Sequence, residues 1–267
     1  MENRRGSIDS ARQNRAATDR TNGPNEQRYS IDEGLKKELS NVYDNTFNSK
    51  DNEVKIGETS DFLVNEIGAK PIPNYMPANK AYSAMATEEK ALEDGKPVGE
   101  NYNYHGLGVD GLFDLLEKAE QPVAAYVSES SETDGRFDRI VLVTDKVMGN
   151  GYGVVIVEVD SKARAGRRQI EANKTITSFD KQSAIRAVQK SFDDNRLLYI
   201  NKKSGTVFDS GRKGTICPTT ISETVRKNNI QQFWENVNWA KYAKNNKLQN
   251  HSHSCRRHPS ARLPASI

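Results

Sequence analysis

The apolar, β-branched positions of this chain crowd into one region, between Val123 and Val159. Val123–Val127, Ile140–Val143 and Val154–Val159 are three short apolar runs, and the last two flank glycines at 149, 151 and 153. Two such runs joined by a glycine-rich connection predict a β-hairpin, and the run upstream extends it to a three-stranded meander. In the last run Val155, Val157 and Val159 alternate with Ile156, Glu158 and Asp160, so the valines share one face. The meander is the expected floor of the domain.

Other patterns place helices and short strands around it. Leu35, Leu39, Val42 and Tyr43 fall at helical spacing within Gly34–Phe47. Val54–Gly57 reads as a strand. Thr59 or Ser60 then caps a helix carrying Phe62, Leu63 and Ile67 and closed by Gly68. Prolines at 71, 73 and 77 force Lys70–Pro77 to be extended, and Asn79–Met85 follows as a short helix. Thr87–Asn103 reads as a surface loop. Leu112, Leu115, Leu116 and Ala119 form the stripe of a helix that Pro122 ends. Ser161–Lys174 reads as a basic loop and Thr175–Phe179 as a short strand. Lys181–Phe192 is expected to be a helix with Ile185, Val188, Gln189 and Phe192 inward, and Leu197–Asn201 with Thr206–Phe208 a last hairpin. Phe233, Trp234, Val237 and Trp239 predict a helix that docks on the domain or on a partner.

Composition narrows this. Only 35% of the 267 residues are hydrophobic and the mean hydropathy is −0.80, against about 45–50% apolar, glycine included, in a typical globular chain. A compact domain is therefore expected over part of the length: a polar region at 1–51 with one helix, an α+β domain at 52–210, a docking helix within 211–244 and a disordered basic tail at 245–267. Two cysteines make no disulfide framework. No secretory signal and no run near the roughly 18 apolar residues of a membrane helix is present. A net charge of +3 does not by itself announce nucleic acid.

Several constellations carry chemistry. Gly106-x-Gly108-x-x-Gly111 has dinucleotide-fingerprint spacing, but no strand precedes it in the pattern and no βαβ unit follows. His105 is the lone histidine before position 251 and so the default acid or base. Lys162, Arg164, Arg167, Arg168 and Lys174 could meet a phosphodiester backbone. Glu158 and Asp160, two apart on a strand, could share a metal or proton, or form its wet side. His251-x-His253-x-Cys255-x-x-His258 offers zinc-ligand types at no common structural spacing. No Walker loop, G-x-S-x-G, HExxH or paired CxxC occurs.

The order of segments resembles the C-terminal domain of MuF-type phage head proteins, also found in large polyvalent proteins of phages and conjugative elements. The pieces are Val54-Lys55-Ile56-Gly57-Glu58-Thr59 before a helix and Gly68; Lys80–Met85; His105-Gly106-Leu107 before a Leu-rich helix; Pro122-Val123 leading to Ser128; Val141–Thr144 and Gly153–Val159; Asn173-x-x-Ile176-x-Ser178-Phe179; and Leu198–Lys202. The likeness spans about 52–210. That family is similar to the barnase–EndoU–colicin–RelE group of metal-independent ribonucleases and toxins. The resemblance implies His105 as acid or base, Ser178 and Tyr199 near a scissile phosphate, and Arg164, Arg167, Arg168 or Lys174 on that phosphate. The sequence departs from the pattern at Phe179, where a tyrosine is expected.

The expected fold is thus α+β: a mainly antiparallel sheet of four or five strands with helices mostly on one face. The expected function is a phage- or mobile-element effector that cleaves RNA with neither metal nor other cofactor, in the host cytoplasm or carried with the virion. Its partners would be RNA, phage head proteins or an immunity protein, and no membrane. The alternative is a non-catalytic structural or protein-binding module, with Trp234 and Trp239 as contacts. ADP-ribosyl transfer would need a late E-x-E strand, for which only Glu158-x-Asp160 stands in.

Overall fold

A computed structural model describes residues 33–48, 52–129, 138–148, 151–165, 168–201 and 220–254. Seven strands, β1 (Glu53–Glu58), β2 (Pro73–Pro77), β3 (Ala124–Val127), β4 (Arg139–Met148), β5 (Gly151–Ala165), β6 (Arg168–Lys181) and β7 (Leu197–Ile200), form one sheet in the order β1-β2-β6-β5-β4-β3-β7. The helices are α1 (Glu33–Tyr43), α2 (Ala78–Met85), α3 (Glu88–Glu93), α4 (Gly108–Lys118), α5 (Ala184–Asp193) and α6 (Glu223–Ser254), with a π-helical turn at Leu63–Ile67. The fold is α+β, but the expected four or five antiparallel strands are corrected to seven, with one parallel pairing of β2 on β6 at Asn74–Asn173 and Tyr75–Lys174.

The meander is present as β3, β4 and β5, antiparallel neighbours in register Tyr126–Val141–Ile156. The basic stretch 161–174 is not a loop: β5 and β6 continue through it as a long hairpin, paired out to Ala165 and Arg168. Its inward positions include Ala163 and Ala172, both buried, and alanine gives none of the β-branched signal that marks a strand. Thr87–Asn103 holds the short α3, whose N-cap is the Thr87 hydroxyl accepting the Lys90 N–H at 3.2 Å.

The two sheet faces have different roofs. Ile140, Leu142, Val155, Val157 and Val159 pack under α1, α2, α4, α6 and the π-turn. Val141, Val143, Val154 and Leu197 face Ala184 and Val188 of α5, the helix of that second core. Ala184, Val188 and Ser191 are the buried positions of α5, whereas Phe192, expected inward, is exposed. The core also takes Leu35, Leu39 and Val42 of α1 and Phe233 and Val237 of α6, so the packed unit reaches beyond 52–210 at both ends.

The π-turn ends at Gly68, whose φ of 80° is the left-handed backbone glycine allows. There α6 docks: the Trp234 Nε1–H donates to the Ile67 carbonyl at 2.7 Å, and the Asn229 amide donates to the Leu197 carbonyl at 2.8 Å. The helix thus settles on its own domain. Trp239 remains exposed, stacked with Tyr242 at 6.0 Å. The helix continues to Ser254, where a disordered tail from Asn245 was expected.

A bulge in the β5–β6 register between Glu158 and Ser161 separates the two carboxylates that simple alternation places together. Asp160 adopts φ 55°, and its N–H donates to Asn173 Oδ1 at 2.8 Å. Its carboxylate, 8% exposed, reaches Lys70 and Lys241 of α6. Glu158 instead pairs with Arg139 at 3.4 Å. The Asn173 amide donates to Thr59 Oγ1 at 2.7 Å, closing a buried knot between β6 and the segment entering the π-turn.

No strand leads directly into Gly106, which follows α3 and an irregular segment, so the fingerprint's required context is missing. Among the described residues no group of three potential metal ligands forms, and no helix is long and apolar enough to cross a membrane. Arg167, Thr206–Phe208, Cys217, Cys255 and His258 lie outside the described residues.

Candidate functional site

His105 lies along the end of α2. Its N–H donates to the Ser83 carbonyl at 2.9 Å, and the next two amides donate to Ala86 and Ala84. The half-buried ring stacks on Phe179, centroids 5.1 Å apart and planes at 21°. Burial lowers the imidazole pKa, with Asp180 opposing, so the ring is neutral at pH 7.

The other residues expected beside it lie elsewhere. The Ser178 side chain is fully buried opposite Val155, and its hydroxyl has no partner among the described residues and no exit to solvent. Tyr199 is on β7, four strands from β6, about 19 Å at 4.8 Å per strand. Its ring stands edge-on to Phe62 at 4.8 Å, with the Arg226 guanidinium 5.9 Å from its centroid. Arg164 and Arg168 are at the turn end of the β5–β6 hairpin, and Arg168 is roughly 35 Å along β6 from Phe179. Lys174 is consumed by an ion pair with Glu53 at 2.5 Å. The structure therefore brings His105 to Phe179 and, among the described residues, gathers none of the other expected site residues around it.

A different site forms on the α5 face. Its floor is the cross-strand row Tyr126, Val141 and Ile156, with Phe179 diagonally beside Ile156 on β6. One wall is α5, presenting Ser183, Arg186, Ala187 and Lys190, spaced three, four and seven residues on along one helical stripe. Ser128, Glu129 and Arg196 make the other wall, and Lys181 stands at the entrance to the helix. The groove encloses about 460 Å³.

Four cationic side chains and one carboxylate line it. Arg196 is committed to structure, donating to the Val127 carbonyl at 2.9 Å, Glu129 at 3.0 Å and Asp194 at 2.8 Å. Lys190 pairs with the same Glu129. Lys181 and Arg186 have no ion pair among the described residues. Burial lowers the Lys181 pKa, with Glu129 alone opposing it. Tyr126 is 3% exposed, and its buried hydroxyl has no partner among the described residues. Burial pushes its pKa up to about 12, so it stays a donor. Ser183, at the helix N-cap, spends no hydroxyl on capping.

Such a set suits an oxyanion. A guanidinium fork and an ammonium without carboxylates would gain charge-assisted hydrogen bonds from phosphate oxygens, and a desolvated lysine regains what burial took from it. The signal is readable in part: Arg186 has no acid three or four residues away on its helix, whereas Lys190 is followed by Asp193 and Asp194. It was overshadowed by the denser cations at 162–174. No protein family, curated protein or solved structure matches this chain.

Proposed function

We propose that this domain binds a phosphate-bearing polymer, RNA first, in the groove between α5 and the sheet. The observation carrying this is the pairing of Lys181 and Arg186, cations without carboxylate partners, with the buried Tyr126 hydroxyl in one cavity. The MuF-like order of segments favours a phage or mobile-element setting, where such a module would travel with head or injected proteins. The test is fluorescence anisotropy of a labelled single-stranded RNA at two salt concentrations. Wild type binds with an affinity that falls with salt, and Lys181→Glu with Arg186→Glu weakens binding and flattens the salt slope by about 0.7 for each phosphate no longer neutralised. Equal binding and equal slopes in both proteins would remove the groove from the account.

One observation favours a catalytic version. The Phe179 ring that lines the groove also carries the stacked His105 ring, so a neutral imidazole sits next to the groove's end. An effector that cleaves RNA by transfer to the 2′-hydroxyl would use it as base. RNA cleavage and toxicity in a bacterial host that persist in His105→Ala would leave a binding module only.

A further inference from the structure

A second cavity, of about 320 Å³, lies between the end of α1, the start of α2 and the 96–104 segment. It shares no lining residue with the groove. Its walls are rings: Phe47, Tyr82, Tyr102 and Tyr104. Two of the rings are fixed by their own hydroxyls, Tyr82 donating to Asp94 at 2.6 Å and Tyr104 to the Pro97 carbonyl at 2.8 Å. They stand edge to face, 6.2 Å apart. Tyr102 is different. It is 46% exposed and its ring and hydroxyl have no partner among the described residues. The side-chain amides of Asn52 and Asn79 are likewise unpaired among those residues.

The one cation lining this cavity among the described residues is Lys96. It donates to Asn45 Oδ1 at 3.0 Å and sits 5.5 Å from the Tyr82 ring centroid. No carboxylate lines the cavity among the described residues. A sugar ring, rich in hydroxyl donors, would find no carboxylate there to accept from it, and one ammonium that spends an N–H on Asn45 and faces the Tyr82 ring offers an anion less than the four cations of the groove.

We propose that this cavity takes a nucleobase. A free aromatic ring offers a stacking face that every base can use. A primary amide presents a donor and an acceptor side by side, the pattern that meets a base edge bidentately. The assignment stands independently of the groove, because a nucleoside carries no phosphate.

The test is a titration of the full chain with adenosine, cytidine and uridine, followed by amide chemical shifts. Saturable shifts confined to α1, α2 and the 96–104 segment are expected for at least one nucleoside, weakened about tenfold or more in Tyr102→Ala and also in Asn79→Ala. Both positions are exposed, and unchanged melting curves will show that each variant folds. Three results would overturn the assignment: no saturable shift up to about 10 mM nucleoside, far weaker than any useful affinity; equal binding by Tyr102→Ala; or a response to methyl glucoside in place of nucleosides. Loss of RNA binding in the groove variants with nucleoside binding intact would separate the two sites.

Discussion

Gly151→Ala tests the link between the sheet and the groove. Gly151 opens β5 opposite Met148, and a Cβ there would sit 2.5 Å from the Lys181 carbonyl carbon, 2.6 Å from the Gln182 nitrogen and 2.7 Å from the Lys181 oxygen. Ordinary contact begins at 3.4 Å, so the end of β6 must retreat by about 0.9 Å, 3.4 less 2.5. These are backbone atoms, held by the Tyr152–Lys181 pairing and leading straight into α5, so no rotamer change relieves the clash. Overpacking of this kind costs about 1–3 kcal/mol. Loss of glycine's freedom in the unfolded chain returns about 0.4–1 kcal/mol. The net, about 1–2 kcal/mol, lowers the melting temperature by roughly 2–8 °C for a domain of this size. The same movement displaces Lys181, so RNA affinity falls as well. Gly153→Ala is the comparison. Its Cβ meets a flexible side-chain tip, Leu115 Cδ1, beneath α4, so it destabilises and leaves the groove alone. Thermal unfolding and RNA titration of both variants decide the matter. A Gly151→Ala protein with wild-type melting and wild-type affinity would refute the reasoning.

Four further outcomes are expected. Lys181→Met should stabilise the fold at pH 7 while weakening RNA binding. Burial holds the folded pKa below the unfolded 10.5, so the charged lysine costs stability at all lower pH, and that cost fades as pH rises between the two values; unfolding at pH 7 and pH 10 reads the difference. Tyr126→Phe should keep or raise the melting temperature, since it removes a buried hydroxyl without a protein partner, yet lower RNA affinity. Asn173→Ala should cost about 1–3 kcal/mol in urea unfolding, because it orphans the Asp160 N–H, while the Thr59 hydroxyl keeps its bonds to Ile72. For Glu120, burial, with Asp61 adding to it, pushes the carboxyl up to about 7. The folded state then holds more protons than the unfolded one between pH 4.5 and 7, so stability falls as pH rises through that window, by at most about 3 kcal/mol; Glu120→Gln should flatten the profile.

What the sequence disclosed follows from which signals are local. The meander was legible because β-branched runs and a glycine connection are written within 37 residues, from Val123 to Val159, and α4 because its leucines repeat at helical spacing. β2 was read as extended, not as a strand, since Pro73 and Pro77 remove two donors, and its pairing with β6 links positions about a hundred residues apart. The far half of the β5–β6 hairpin was hidden by arginines and lysines that face solvent while small alanines face inward. His105 was found by its type alone, and its stacking on Phe179 has no sequence spacing to announce it. The expected gathering of Ser178, Tyr199, Arg164, Arg168 and Lys174 fails for separate reasons. Alternation turns Ser178 under the helices, strand order carries Tyr199 across the sheet, strand length carries Arg164 and Arg168 to the far tip, and Glu53 holds Lys174.

The same geometry explains why a groove exists where it does. Along one face, α1, α2, α4, α6 and the π-turn cover the sheet. Along the other, α5 is ten residues, about 15 Å of helix, set against a sheet whose seven strands span roughly 29 Å. Among the described residues α5 is the one helix on that face; Tyr126 and Val141 are buried beneath it, and of the floor row Ile156 alone stays partly exposed. A floor covered by one short helix would normally be rimmed by side chains that pair with one another. Here Glu129 draws in only Lys190 and Arg196, and Lys181 and Arg186 are left over among the described residues. A fold selected for stability alone would place a carboxylate near Lys181 or a phenylalanine at 126. Holding both a desolvated ammonium and a buried phenol without a partner in one cavity is a cost that a bound oxyanion would offset.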